Sequence, residues 1–514
     1  MKFFLKRRDF TDLVVQPALD FEVGPYSHST IGGPKLATID ASGSREALFE
    51  LANHMRAPVE IWSDAGERVW WGYLAGVTIN WETITFGVNV DQMSNKVAVA
   101  YNDQNVRFTT DWSEDEDSSG EYGIKEKLMS LAKGTKSDAL QLRDTYLAGA
   151  KYPIPTLSFG GGQSGTAKLT CRGWLDTLDW RYYKNVTGKE SYETTGQGGR
   201  EIGEDDRPKL AMSFQIESDT AWTASSIWLR IWAYSSLPAD NLIITLKADN
   251  AGAPGADLAS SLIAGGDMPT KAEWIEFELN TPVELQPGTQ YWISAARSGA
   301  INTSQFYMLD TNTDLGYPRG EMWLWYTAFG EWRANVGKGD LLFKIVGNVE
   351  TTDQIVTLVT ACGEFLTGTI IEDQSGIDSN PYRFGDTPAL YELQKLLAVG
   401  TSNSRRLLCE VAPNRALRVY EEAAKPSSPF DCIALDAKGD LLLKNTRIDP
   451  ATCPVGFWCH LRNVIPASVD LSVIADPSLF FVDEAEYNPK SGRYRVLRTR
   501  NQAGAYDIGG VRQG

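Results

Sequence analysis

The chain has 514 residues, 42% hydrophobic and 22% charged, with a formal net charge of −17. That length exceeds what one hydrophobic core organises, so two to four domains are expected. The acidic balance argues against a sequence-reading nucleic-acid binder, which would show a basic stripe, but does not exclude a surface that DNA slides past, since a negative wall repels phosphate. No apolar run approaches the roughly 18 residues that span a bilayer, so no transmembrane segment is expected.

The basic N-terminus, Met1 to Arg8, has no apolar core or cleavage site and reads as a first strand, not a signal peptide. Ser44 is an expected N-cap for a helix carrying Leu48, Leu51, Ala52 and Met55 on one stripe. Residues 58–64 and 69–74 read as a hairpin turning at Asp64-Ala-Gly66, followed by extended stretches at 77–90 and 97–101. The acidic run 111–117 lacks the glycine and glutamate spacing of a calcium loop and reads as solvated. Residues 122–133 and 137–147 are predicted helical, broken at Gly134. The glycine-rich stretch 159–165 is only superficially a phosphate loop, because Thr166 and Ala167 stand where lysine and a hydroxyl are required.

A polar, glycine-rich stretch at 187–206 reads as a linker. Beyond it, residues 207–347 hold eight of the 16 tryptophans. Eight strands are predicted there, at 210–216, 226–233, 242–248, 274–279, 290–295, 306–309, 321–326 and 341–346. Turn chemistry separates several of them, notably at 249–255 and 286–288. Eight short strands without a helix give a jelly-roll β-sandwich. A second polar crossing at 348–353 returns to the host sequence. There Thr387 and Pro388 are expected to open a helix that Gly400 closes, with Leu390, Leu393, Leu396 and Leu397 on its apolar face. Residues 407–412 and 415–420 read as a hairpin around Pro413 and Asn414.

The fold class expected is therefore mainly β with a few helices, a β-rich α+β chain. Its expected parts are residues 1–188, an inserted sandwich at 207–347, and residues 350–514. Six scattered cysteines form neither a C-x-x-C pair nor a disulfide framework. Cys453 and Cys459 precede His460, but the spacing is wrong for a zinc knuckle, and buried free thiols made in a reducing cytoplasm are expected.

Aromatic-rich sandwiches suit sugars, because a flat ring covers the apolar face of a pyranose. Trp323 and Trp325 share one face of their strand and Leu324 and Tyr326 the other, so one face must be core. Tyr307, Tyr317 and Trp332 lie near loop signals, where exposure is expected. Asp310, Asn312 and Asp314 could supply hydrogen bonds to a sugar, but read more readily as turn residues. The candidate carbohydrate site is thus Tyr307, Asp310, Asn312, Tyr317, Trp323, Trp325 and Trp332. Catalytic chemistry is not expected. Neither a G-x-S-x-G elbow nor an H-E-x-x-H motif occurs, and only His28, His54 and His460 could serve a histidine-based triad. No metal or other cofactor is called for.

Two resemblances bear on function. The insert resembles the sandwich modules known as choice-of-anchor domains, through Ser213-Phe-Gln-Ile216, Ile227-Trp-Leu-Arg-Ile-Trp232, Leu246 to Gly255, Trp274-Ile-Glu-Phe277, Leu285 to Ile293, Trp332 and Asp340-Leu-Leu-Phe343. The host resembles tail-tip hub proteins of long-tailed bacteriophages. Its first half carries this in Gly32-Gly-Pro-Lys35, Leu51 to Met55, Pro58-Val-Glu-Ile61, Trp70-Trp-Gly-Tyr73, Met93 to Val97 and Cys171-Arg-Gly-Trp174. Its second half does so in Tyr382-Arg-Phe-Gly385, Val411 to Tyr420, Cys453-Pro-Val-Gly456 and Glu486-Tyr487. The hub resemblance implies tail-tube-like β-barrels, assembly as a homotrimer, and partners among the distal tail, tape-measure and fibre proteins. It further implies a place in the virion after assembly in the bacterial cytoplasm, with a host-surface glycan as the insert's ligand. A distal tail protein with a sugar-binding insertion is an alternative, and a polysaccharide hydrolase with a binding module is one from a different class.

Overall fold

The structure is a computed structural model, and it describes all residues except 12–17, 104–105, 161–163, 204–206, 314–315, 336–338, 423–430, 436–440, 445–448, 462–478 and 502–514. The chain is mainly β with a few helices, and most strand pairs are antiparallel. It divides into two compact units. One comprises Met1–Tyr183, Thr351–Ile377 and Gly385–Gly514, and the other Lys184–Glu350 with Asp378–Phe384.

The first unit is built on a branched sheet whose central strands are Arg68–Trp81, Thr166–Arg172, Ile31–Gly43 and Leu19–Ser29, in that order. The late strand Leu479–Asn488 joins it by pairing antiparallel with Leu19–Ser29, setting Tyr26 opposite Tyr487. Residues more than 450 positions apart are tied there, since the Thr30 hydroxyl donates to Asp483 Oδ1 at 3.1 Å. The core behind the sheet contains Trp70, Tyr26, Tyr73 and Ile39, each 1% exposed or less. The Arg45–Glu50 helix starts at Ser44, whose side chain accepts from the Ala47 N–H, and buries Leu48.

Three local readings change. Residues 122–133 are not one helix: a helix Glu116–Tyr122 ends at Gly123 (φ 83°), and Glu126–Leu131 is a strand parallel to Lys96–Asp103. The left-handed glycine stops the helix, and Met129 and Leu131 then pack by strand alternation on the cluster of Val99 and Tyr101. The acidic run before it has a local purpose. Asp115 caps that helix and Glu116 and Asp117 sit in its first turn, where the helix dipole favours negative charge. The crossing at 348–353 runs directly into a helix, Thr351–Cys362, which buries Ile355, Leu358, Val359 and Cys362. Its threonines and valines are weak helix formers, which hid the periodicity. At Ala389–Val399 the N-cap is Pro388 and not Thr387, whose hydroxyl instead bonds Glu392, while Gly400 at φ 77° ends the helix.

Cys171, Cys362, Cys409 and Cys453 are buried free thiols. The side chains of Cys432, Cys459 and His460 lie outside the described residues.

The second unit is a sandwich of a seven-stranded and a six-stranded sheet, both antiparallel. Its interior is filled by Leu210, Met212 and Phe214 from Lys209–Phe214, by Ile227, Leu229 and Ile231 from Trp222–Tyr234, and by Leu309 and Phe343. The start of this unit departs from the sequence reading. Residues 187–206 are not a linker, because they contain the strands Lys189–Tyr192 and Gly198–Ile202. These pair with Phe343–Val346 and Phe306–Asn312 respectively. The glycines there mark close approach. A Cβ on Gly199 would meet Met308 Cε at 2.4 Å, and one on Gly196 would meet the Asp310 carboxylate at 2.0 Å. Asp314 lies outside the described residues. A further strand, Ala253–Ala264, escaped notice because its alanines, serines and glycine carry no strong alternation.

Two outcomes follow. A fragment spanning residues 184–350 will unfold cooperatively, whereas one limited to 207–347 loses the burial of Tyr192 and Ile202, both core residues. At about 1.5–3 kcal/mol per buried side chain the shorter fragment should be at least about 3 kcal/mol less stable in urea titration, and equal midpoints would contradict the boundary. The second concerns His28, which is buried with its Nε2 2.9 Å from the Val69 carbonyl. Burial pushes its titration down to about 4, against only a partial opposing effect of that hydrogen bond. The unfolded chain therefore binds this proton nearer pH 6.5, and the stability His28 confers above that pH is lost as pH falls towards 4. In proton NMR its imidazole resonance, assigned with His28→Gln, will not shift between pH 8 and 5.

Candidate functional site

Side-chain alternation gives each sheet of the sandwich an inner and an outer face. On Met322–Tyr326, Met322 and Leu324 enter the core, so Trp323 and Trp325 point outward. The neighbouring strand Glu331–Ala334 places Trp332 opposite Trp325. Their rings meet edge to face, with centroids 5.5 Å apart and planes at 74°. On the other side Lys209 stands opposite Trp325, its Nζ 5.5 Å from the ring centroid.

The same face continues across the sheet. Trp323 lies opposite Ala211, which lies opposite Ser294, which lies opposite Thr245. Trp292 also points outward, yet it is fully buried. Its Nε1 donates to Asp249 Oδ1 at 2.8 Å, and its ring meets Trp323 edge to face at 5.4 Å. Asp249 is itself held by the N–H of Gly252, so the turn at 249–252 curls over the indole. Trp292 is thus a structural wedge that sets the Trp323 ring. On this face Ala211 and Ser294 are buried, while Ala296, Trp323, Trp325 and Trp332 are half-buried. Flat rings can cover the C–H face of a saccharide, and Lys209 adds one cation beside them.

The seven sequence-derived candidates are not brought together. Trp323, Trp325 and Trp332 share the outer face of the six-stranded sheet, whereas Tyr307, Asp310 and Asn312 belong to the other sheet. Tyr307 is not exposed: it is core, and its hydroxyl donates to the Asp240 carbonyl at 2.6 Å. Asp310 and Asn312 are not turn residues, because the strand Phe306–Asn312 runs three residues further than expected. Asp310 is 5% exposed and paired with Arg230 at 3.0 Å. Burial nevertheless holds its carboxyl above the usual range, with Arg230 offsetting only part of the effect. The Asn312 side chain donates to the Thr195 carbonyl at 2.8 Å. Tyr317 is buried too, donating to Glu190 Oε1 at 2.9 Å. All four hold the fold, and their loop-like neighbours misled the sequence reading.

Sequence reasoning missed a second outward aromatic set, on the seven-stranded sheet. Trp228 and Trp232 alternate with core residues along Trp222–Tyr234, and Trp274 stands opposite Arg230. Lys344 lies over both Trp274, at 4.4 Å, and Trp228, at 5.6 Å. Lys344 thus caps this set as Lys209 flanks Trp325, and its rings are half-buried like those of the Trp325 and Trp332 pair.

No family model matches the chain, and no curated protein sequence matches it. Among solved structures, the cysteine protease and lectin-like domains of Cwp84, a surface layer associated protein of Clostridium difficile, match at a TM-score of 0.23 and 13% identity. That match covers 36% of this chain and 39% of that one, so the chain spans about two fifths of its length. A glycoside hydrolase family 43 arabinoxylan arabinofuranohydrolase from Bacillus subtilis matches at 0.17 and 11% identity, covering 54% of this chain and 63% of that one. The infectious bursal disease virus VP2 subviral particle matches at 0.17 and 11%, covering 64% and 79%.

Replacing Tyr317 with Phe removes one of three donors to the Glu190 carboxylate, the others being Arg319 at 2.7 Å and the Glu217 N–H at 2.7 Å. A buried acceptor left one donor short should cost about 1–3 kcal/mol in chemical denaturation. An unchanged midpoint would return Tyr317 to the list of candidate ligand contacts.

Proposed function

We propose that the chain is a structural component of a phage tail tip, a hub that closes the tail tube, and that its sandwich binds a host-surface glycan. The observation that carries the glycan reading is the outward trio Trp323, Trp325 and Trp332 beside Lys209. Folding alone does not require three indoles on a solvent-facing surface. The hub reading is supported by the sequence resemblance of the host segments, and with it come the homotrimer, the distal tail, tape-measure and fibre partners, and the location in the virion. Several copies on one particle would turn weak sugar contacts into effective adhesion.

Glycan-array binding of the full chain tests the sandwich half of this reading. The wild type should retain a discrete set of glycans, and Trp325→Ala with Trp332→Ala should weaken them at least about tenfold, as expected for losing two stacked rings. Thermal unfolding should change little. Binding that survives the double substitution would overturn the reading, and cleavage of the glycan by the wild type would favour the hydrolase alternative. Mass photometry on the same sample tests the trimer.

A further inference from the structure

One ring of the six-stranded sheet's outer face has no hydrogen bond to orient it. Trp323 Nε1 is buried and has no acceptor. A buried donor left unpaired costs free energy that a phenylalanine would avoid, so packing alone does not favour an indole there. What the indole adds is a wider flat surface. Contact sets the direction of that surface, since the Trp323 ring meets fully buried Trp292 edge to face at 5.4 Å.

The hairpin end beside Trp292 is built in an unusual way. The strands Asn241–Asn250 and Ala253–Ala264 are joined by Ala251 and Gly252, both left-handed, at φ 52° and 85°. A two-residue turn of that kind suits asparagine, aspartate or glycine at its first position, and alanine there is strained. The pairing of the two strands also shifts register twice just before the turn, between Leu246 and Lys247 and between Lys247 and Asp249. Bulges re-aim side chains, and here the side chain brought to bear is Asp249. Its Oδ2 accepts from the Gly252 N–H at 2.9 Å. Its Oδ1 accepts from Gln290 Nε2 at 3.1 Å and from Trp292 Nε1 at 2.8 Å. Closing the turn requires only the first of these bonds. The other two reach the neighbouring strand and hold the indole. A left-handed alanine and a double register shift in one short segment point to a geometry kept for more than folding.

We propose that Asp249 is a positioning residue for the glycan face: acting through Trp292, it fixes the Trp323 ring and so determines which saccharide that face accepts. The inference rests on the glycan reading of Trp323, Trp325 and Trp332, and adds to it a residue that acts from behind the face.

The test is a double-mutant cycle on the full chain, read by isothermal titration with the array glycan that wild type retains most tightly. Asp249→Ala should weaken binding at least about fivefold, a usual coupling for residues in contact. Trp292→Phe, which keeps a ring but removes the N–H, should weaken it similarly. Adding Asp249→Ala to Trp292→Phe should weaken it no further, because the route from Asp249 to Trp323 is already cut. A purely structural role in closing the turn would persist in the Trp292→Phe background and give additive losses, which would overturn the proposal. Asp257→Ala, which removes only the ion pair to Lys247 on the same hairpin, should leave affinity unchanged. An equal loss with that variant would also overturn the proposal. Thermal unfolding confirms that each variant is folded at the titration temperature, and Trp292→Phe carries the test if Asp249→Ala is not. If wild type binds a glycan and Asp249→Ala binds it equally well, this inference fails and the glycan reading stands. If wild type retains no glycan, both fail.

Discussion

A sheet with two apolar faces cannot satisfy both by packing against one partner sheet, and that constraint organises the second unit. In the six-stranded sheet Leu210, Met212 and Leu324 fill the sandwich interior. The residues between them, Ala211, Trp323 and Trp325, face the other way. Trp292 shows how part of that outer face is managed, with a turn folded over it and an aspartate on its indole N–H. Trp323, Trp325 and Trp332 on the same face are half-buried rather than enclosed, and they set the site.

In the first unit the governing interaction is the pairing of Leu479–Asn488 with Leu19–Ser29. It joins the chain's beginning to its end around the sandwich sequence, and it is why the halves on either side of residues 184–350 make one compact body. Buried polar groups at that seam are tied across the full length of the chain, Thr30 to Asp483 and Tyr26 to the Ala451 carbonyl. Both segments therefore contribute to one compact unit.

Much of this was legible in the sequence where one period dominates. The strands of the sandwich, the Ser44-capped helix, the hairpin at Gly66 and the helix closed by Gly400 were readable from alternation, caps and left-handed glycines. Legibility failed where a residue type has two uses. Gly196 and Gly199 read as linker but serve close packing against Asp310, Met308 and Trp232. Tyr307 and Tyr317 read as exposed because polar residues surround them, yet each hydroxyl finds a buried acceptor. The outward direction of Trp323 and Trp325 was a choice between two faces, and only the opposite strand, with Leu210 inside and Ala211 outside, decides it.

The central claim is that the outer face of the six-stranded sheet is the ligand face. Its most direct test is a crystal structure of the full chain soaked with an oligosaccharide that it retains. The account predicts a pyranose ring lying against Trp325 and Trp332 with polar groups within reach of Lys209. A sugar seated instead on Trp228, Trp232 and Trp274 of the other sheet would contradict it.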